Sequence, residues 1–346
     1  MDQSRAAAAP NALPSEERPP ARAGLLLVNL GTPGAPTRQA VRQYLAEFLS
    51  DRRIVDYPRA LWLPLLHGVI LNVRPARTAR AYAKIWRAES DESPLRYFTR
   101  RQAERLGERL GPGVRVDWAM RYGAPSIAER LAALAAAGAS RILVLALYPH
   151  YSATTTASVN DAVFDAVRAL PLQPAIRLAP PFHDEPAYIE GLARGARAAI
   201  AAMPASPERL ILSFHGLPER LVAAGDPYED HCRKTARLLR EAMGWSETFA
   251  PIAFQSKFGP EKWLGPSTAD LIDALAREGV KRLAVMAPGF ASDCLETLEE
   301  LAVAGKERFL EAGGAAFDAI PCLNDSDAMI GLLETVARRE LRGWLD

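Results

Sequence analysis

Apolar and polar positions along this chain follow two alternating rhythms. Eight short apolar runs, 24–29, 114–121, 141–148, 175–178, 209–214, 249–255, 282–287 and 316–320, read as strands. Longer segments with helical spacing separate them, among them 37–49, 95–110, 126–137, 187–203, 228–243 and 267–278. Strand alternating with helix predicts parallel sheets covered on both faces. Four strands fall in each half, and the halves echo each other. Gly123-Ala-Pro-Ser leads through a helical segment to the apolar run after Arg141, as Gly265-Pro-Ser-Thr leads to the run after Arg282. The repeat predicts an α/β fold of two similar Rossmann-like domains with parallel four-stranded sheets and an active-site cleft between them. At 346 residues the chain is long enough for each domain to have its own core. Residues 1–22, rich in Ala, Pro, Arg and Glu, lack the apolar centre of a signal peptide and are expected to form a disordered arm. The first domain is expected over 23–180, the second over 181–325, and a C-terminal helix over 326–346.

Composition narrows the partners. With 42 basic and 41 acidic residues the net charge is +1, which gives no footprint for nucleic acid and points to a small-molecule partner. Three cysteines, Cys232, Cys294 and Cys322, form no C-x-x-C pair, which fits a reducing, cytoplasmic setting and argues against a disulfide framework. The one membrane-like stretch, Ala60–Val73, is shorter than a spanning helix needs and is interrupted by Pro64, His67 and Gly68.

Two strand ends carry candidate chemistry. Leu210-Ile-Leu-Ser-Phe-His-Gly-Leu-Pro218 delivers His215 into a Gly/Pro turn, at the carboxyl edge where parallel sheets bind ligands. The run ending at Pro288-Gly289 opens an acidic helix that either Asp293 or Ser292 could cap, with Glu296, Glu299 and Glu300 near its start. Glu299 and Glu300 read as acids of the helix N-terminus. Glu296 faces the same edge as His215, and an imidazole beside a carboxylate suits divalent metal handling or proton transfer. The repeat places Tyr148, His150, Tyr151 and the polar run Ser152-Ala-Thr-Thr-Thr156 at the corresponding edge of the first half, lining the cleft or capping a helix. Gly31-Thr-Pro-Gly34 is neither a dinucleotide fingerprint nor a P-loop, and H-E-x-x-H and G-x-S-x-G are absent.

Several of these stretches together resemble the ferrochelatases over about 24–344. They are Leu27-Val-Asn-Leu-Gly-Thr-Pro33, Met120-Arg-Tyr122, Leu147-Tyr-Pro-His-Tyr-Ser152, Ser213-Phe-His-Gly-Leu-Pro218, Gly225-Asp-Pro-Tyr228, Phe254-Gln-Ser-Lys-Phe-Gly-Pro260, Trp263-Leu-Gly-Pro266 and Ser292-Asp-Cys-Leu-Glu-Thr-Leu298. The resemblance implies a chelatase-like fold and a lyase that inserts Fe²⁺ into protoporphyrin IX without nucleotide hydrolysis, giving protohaem in the terminal step of haem biosynthesis. It implies that His215 and Glu296 are the essential pair that handles iron, with His215 a candidate acceptor of pyrrole protons. Arg121 and Tyr122 then fall at the propionate side and pocket wall, Leu30, Tyr82 and Trp263 line the macrocycle site, and Asp293 lies beside the acidic path to Glu296. Some relatives carry a histidine where this chain has Cys294, which leaves a metal-delivery role for that position in question. The chain ends at Asp346 without the cysteine-bearing tail of cluster-containing members, so Fe²⁺ is expected as substrate, with no tightly bound cofactor and no [2Fe–2S] cluster.

The resemblance gives Ala60–Val73, within a segment of about 57–73, a second reading beside an ordinary core helix. It becomes a lip at the porphyrin mouth, with Trp62 and the leucines near Pro64 facing outward for peripheral membrane contact. The alternatives are a coproporphyrin III ferrochelatase, a chelatase for another metal and tetrapyrrole, and a non-catalytic tetrapyrrole carrier.

Overall fold

The structure, a computed structural model, describes residues 22–345 apart from Phe258 and Pro260. The predicted arm lies outside the described residues except for Arg22, which already begins the first strand. Eight parallel strands form two sheets: β1 (Arg22–Gly31), β2 (Val114–Tyr122), β3 (Ala139–Ala146) and β4 (Ala175–Leu178), then β5 (Arg209–His215), β6 (Ile252–Gln255), β7 (Arg282–Met286) and β8 (Ala316–Ile320). The strand orders, β2-β1-β3-β4 and β6-β5-β7-β8, are the same plan used twice. Details repeat as well. Met120 N donates to Pro125 O at 2.7 Å and Phe254 N to Pro266 O at 2.8 Å. The next residues, Ser126 and Ser267, cap α5 (Ile127–Ala136) and α10 (Thr268–Arg277), each hydroxyl satisfying an orphan N–H of the first turn.

Leu25, Leu26, Leu27 and Val28 on β1 are all fully buried, as expected of a strand covered on both faces. Alternate residues go to different cores. Leu26 and Val28 join the outer face of the first sheet, and Ile211 and Val285 the outer face of the second. The inner faces do not form two separate cores. Leu25, Leu27, Leu143, Leu210, Leu212 and Phe214 belong to one buried cluster that runs through both halves. The C-terminal helix α12 (Asp327–Glu340) adds Met329, Leu332, Leu333 and Val336 to it. It packs on α4 (Pro94–Leu110) of the first half and α7 (Pro186–Ala202) of the second.

Between β1 and α4, α1 (Arg38–Ser50) is followed by one long, irregular helical element: α2 (Arg59–Leu65), a π-helical turn (Leu66–Ile70) and α3 (Leu71–Ile85). Pro64 removes one helical N–H, and the path continues through the π turn. The exposed apolar residues Leu61, Leu65, Val69 and Val73 recur every four positions, so they form one outward stripe. Trp62 departs from the outward lip reading. It is 4% exposed, packs with Leu66, and donates its Nε1–H to Leu49 O at 2.7 Å.

Candidate functional site

His215 ends β5 at the carboxyl edge of the second sheet, paired with Gln255 at the end of β6. The sharp exit needs Gly216, because a Cβ there would lie 2.7 Å from Gln255 O and 3.1 Å from the Trp263 ring. Nδ1 of His215 is 2.7 Å from Gly216 O. A carbonyl only accepts, so Nδ1 carries a proton, and in the neutral ring the lone pair is on Nε2. The side chain is exposed, and Tyr228 O–H donates to the backbone O of His215 at 3.0 Å.

After β7 the chain turns through Ser292–Leu295 into a π-helix, Glu296–Gly305, followed by α11 (Lys306–Glu311). Neither Ser292 nor Asp293 caps it, contrary to expectation. Ser292 Oγ accepts from Gln102 Nε2 at 3.0 Å. The buried Asp293 carboxylate accepts from Thr297 Oγ1 at 2.9 Å, Asn324 Nδ2 at 2.6 Å and Cys322 N at 3.3 Å. It anchors the loop beneath Glu296. The backbone O of Glu296 accepts from Gln255 Nε2 at 3.1 Å, tying the helix start to the strand end beside His215.

Glu299 is an acid of the first turn, as expected, but Glu300 is not. Glu299 pairs with Lys84 of α3 at 3.0 Å, whereas Glu300 turns toward the sheet. Its oxygens accept from Ser256 N at 2.9 Å and Ser256 Oγ at 2.5 Å. Burial pushes the Glu300 carboxyl above its usual range; the Glu296 charge adds to this, while Ser256 and His215 oppose it. Glu300 thus feels the charges of both Glu296 and His215. Only its spacing of four from Glu296 signals this in sequence, and the decisive partner, Ser256, comes from another strand end. Cys294 is buried, and burial together with Glu296 pushes its thiol up.

The facing wall comes from the first half. Tyr44, Tyr82, Trp62, Leu66 and Tyr122 are buried in one cluster, with Leu30 and Leu295 packed against it. A Cβ on Gly31, at φ +113°, would fall 1.9 Å from Tyr122 O, so this glycine lets β1 end directly against Tyr122. Burial, then the Glu296 charge, pushes the Tyr82 hydroxyl far up. The predicted wall residues Leu30, Tyr82 and Tyr122 are thus brought together, next to the start of the π-helix.

Arg121 is held against Tyr122 by Asp51 and Ser158. Its Nη2 pairs with Asp51 at 2.6 Å, its Nε donates to Ser158 O and Oγ at 2.9 and 2.7 Å, and its guanidinium lies 4.5 Å from the Tyr122 ring centre. The same Asp51 oxygen accepts from Tyr122 O–H at 2.7 Å and Ser158 O–H at 2.6 Å. Burial raises the Asp51 carboxyl pKa, but Ser158, the Arg53 amide, Tyr122 and Arg121 outweigh it and hold it below the usual range. Trp263 sits over Gly216, its Nε1 buried without a hydrogen-bond partner. His150 does not line the cleft. It is 2% exposed, its Nε2 is 2.8 Å from Thr235 Oγ1, and it packs under Phe214. Ser152 Oγ and Ala153 N donate to Asp226 of the second half at 2.9 and 2.7 Å, so this stretch docks the halves. Among the described residues, no cluster of three or more His, Cys, Asp or Glu side chains forms a ready-made metal site.

Paired four-stranded parallel sheets, with an imidazole and carboxylates at one carboxyl edge, define the chelatase class. SirB from Bacillus subtilis, solved with Fe³⁺, shares this fold at 11% identity, with a TM-score of 0.55 over 93% of this chain and 97% of that one. The ferrochelatase family model matches residues 22–341. The ferrochelatase of Agrobacterium fabrum is 54% identical over 94% of this chain and 95% of its own length. That of Rhizobium meliloti is 52% identical over 93% and 96%. The chain belongs to the ferrochelatase family.

Proposed function

We propose that this enzyme inserts Fe²⁺ into protoporphyrin IX to form protohaem, with both pyrrole protons released and Fe²⁺ as a substrate. The observation that carries the assignment of roles is the His215 tautomer. With Nδ1 committed to Gly216 O, Nε2 offers a lone pair at the edge where the π-helix of Glu296 begins. It accepts a pyrrole proton or ligates iron as its water is stripped. The Glu296 and Glu300 carboxylates offset cationic charge. Burial holds the Glu300 carboxyl above its usual range, which suits it to take up a pyrrole proton. Across the cleft, burial keeps the Tyr44 and Tyr82 hydroxyls protonated, so the wall offers iron no competing oxyanion. Leu30, Tyr82 and Tyr122 take the macrocycle face. Arg121, bound to Asp51, fixes Tyr122, and reaches a propionate only through the guanidinium edge that Asp51 and Ser158 leave. Trp263 braces the turn that carries His215.

The stripe of Leu61, Leu65, Val69 and Val73 is proposed as the lip, suited to an apolar substrate and to peripheral contact with a membrane surface. Among the described residues no helix is long and apolar enough to cross a membrane. Cys232, Cys294 and Cys322 are three thiols, one fewer than a [2Fe–2S] cluster takes from one chain. Purified protein is expected to lack cluster absorption, and stoichiometric acid-labile sulfide would contradict this.

Anaerobic insertion assays with Fe²⁺ against protoporphyrin IX and coproporphyrin III test the central reading. Turnover with protoporphyrin IX, lost in His215→Ala, is expected. Binding of both porphyrins with insertion into neither would leave a tetrapyrrole carrier, and a strong preference for coproporphyrin III would change the substrate.

A further inference from the structure

The foot of the lip is tied across the cleft by charges that the chemistry does not use. Both terminal nitrogens of Arg220 donate to the Asp56 carboxylate, at 2.6 and 2.7 Å, in a fork-to-fork pair. Its Nε donates to Glu261 Oε2 at 2.9 Å, and the other Glu261 oxygen accepts from Tyr57 O–H. Asp56 and Tyr57 immediately precede α2, the first part of the lip. Arg220 lies in α8 (Glu219–Ala223), which follows the turn that holds His215. Glu261 lies just before Trp263, which packs over that turn. Arg220 and Asp56 are 164 residues apart and Tyr57 and Glu261 are 204 apart, so these bonds join the lip foot to the segments flanking His215, while Arg220 and Glu261 tie those two segments to each other.

Tyr57, then Arg220, holds the Glu261 carboxyl below its usual range, so the ring stays charged near neutral pH. The ring is also wet: Arg220, Asp56 and Glu261 side chains are 43%, 50% and 24% exposed. Exposed pairs of this kind shift an equilibrium by about fivefold at most. That is too little to weld two halves that already share a buried core. It is enough to bias a local element between two positions. A cavity of about 430 Å³ lined by Glu219, Arg220, Ala223, Glu261 and Lys262 leaves the guanidinium room to swing away.

We propose that Arg220 is a positioning residue that clasps the lip over the cleft and sets the rates of porphyrin capture and haem release, without touching the reacting atoms. The catalytic part rests on the function proposed above; the clasp itself does not. The test uses R220Q, R220K and D56N in the full chain, with thermal melts to confirm folding. Hydrogen exchange over 57–73 needs no porphyrin, and in R220Q and D56N it is expected to quicken there while α5 and α10 are unchanged. In kinetics, R220Q is expected to raise the porphyrin KM and the haem release rate about three- to fivefold, leaving the single-turnover insertion rate unchanged. R220K is expected to recover part of the effect. High salt is expected to make the wild type resemble R220Q and to leave R220Q unmoved. Unchanged exchange over 57–73 in both folded variants would overturn the clasp. So would equal salt sensitivity of wild type and R220Q, or a slowed single-turnover step with release unaltered. Failure of insertion in the wild type, with exchange responding as expected, would instead count against the proposed function alone.

Discussion

His215 makes one side-chain hydrogen bond, to its neighbour's carbonyl, and packs little. Its removal is therefore expected to abolish insertion, by at least about 100-fold as for loss of a general base, with the melting temperature almost unmoved. Near-normal turnover by folded His215→Ala would refute its assignment. Glu296→Gln keeps the shape and removes the charge, so insertion is expected to slow while porphyrin affinity holds; a parallel fall in affinity would point to a structural role. Cys294→Ser, next to Glu296 but buried with its thiol protonated, is expected to change the rate only modestly. The pair itself was legible in sequence because a strand end and a helix start are local patterns. Glu300 and Asp51 were not. Both look like surface acids in sequence, and each owes its place to remote partners: Ser256 for one; Arg121, Tyr122 and Ser158, 70, 71 and 107 residues away, for the other. Trp62 failed differently, since a helix with apolar residues on both faces does not reveal which face is covered.

The strands and most helices were legible as elements because their periods are long and their caps conventional, with Ser126 and Ser267 marking the starts of α5 and α10. The lip was less so, since Pro64 and the π turn shift the phase of the pattern halfway along. Once the phase is known, substitutions separate sharply. Leu61→Asp and Leu65→Asp place a charge in water and are expected to cost under about 0.5 kcal/mol, while raising the porphyrin KM and weakening association with lipid vesicles. Trp62→Asp, one position away, buries an unpaired charge and frees Leu49 O, so a loss of at least about 3 kcal/mol is expected. Comparing the three by thermal melts and vesicle sedimentation is a direct check. A destabilised Leu65→Asp would mean that the stripe is covered and is no lip.

At the scale of the whole molecule, the halves meet over histidines. His150 follows β3, His183 lies between β4 and α7, and His231 is on α9 (Tyr228–Met243). His183 and His231 stack with centroids 3.7 Å apart and planes 7° from parallel. Burial, then His231, pushes His183 down to about 4 from 6.5, with Asp184 and Lys234 pulling it in opposite directions; burial, then His183 and His231, also pushes His150 down. A neutral native imidazole stabilises the fold fully above the unfolded value of about 6.5. That contribution shrinks as acid protonates the unfolded chain first, and it levels off for His183 only below about 4. Urea unfolding from pH 7 to 4 is expected to show this loss, flattened in His183→Gln; an unchanged slope would exclude His183 as its source. The single core explains why such a junction affects global stability, a feature hidden in sequence because a repeat suggests independence. The repeat also divides the labour between two sheet edges. One plan is used twice, but only the second copy has His215 at its central strand end and a helix opened by Glu296; the first has Gly31 and a helix opened by Thr156 at the matching places. If the proposed roles hold, substitutions at the first edge would reshape the macrocycle pocket and those at the second would alter ion handling, so the two specificities could be changed separately.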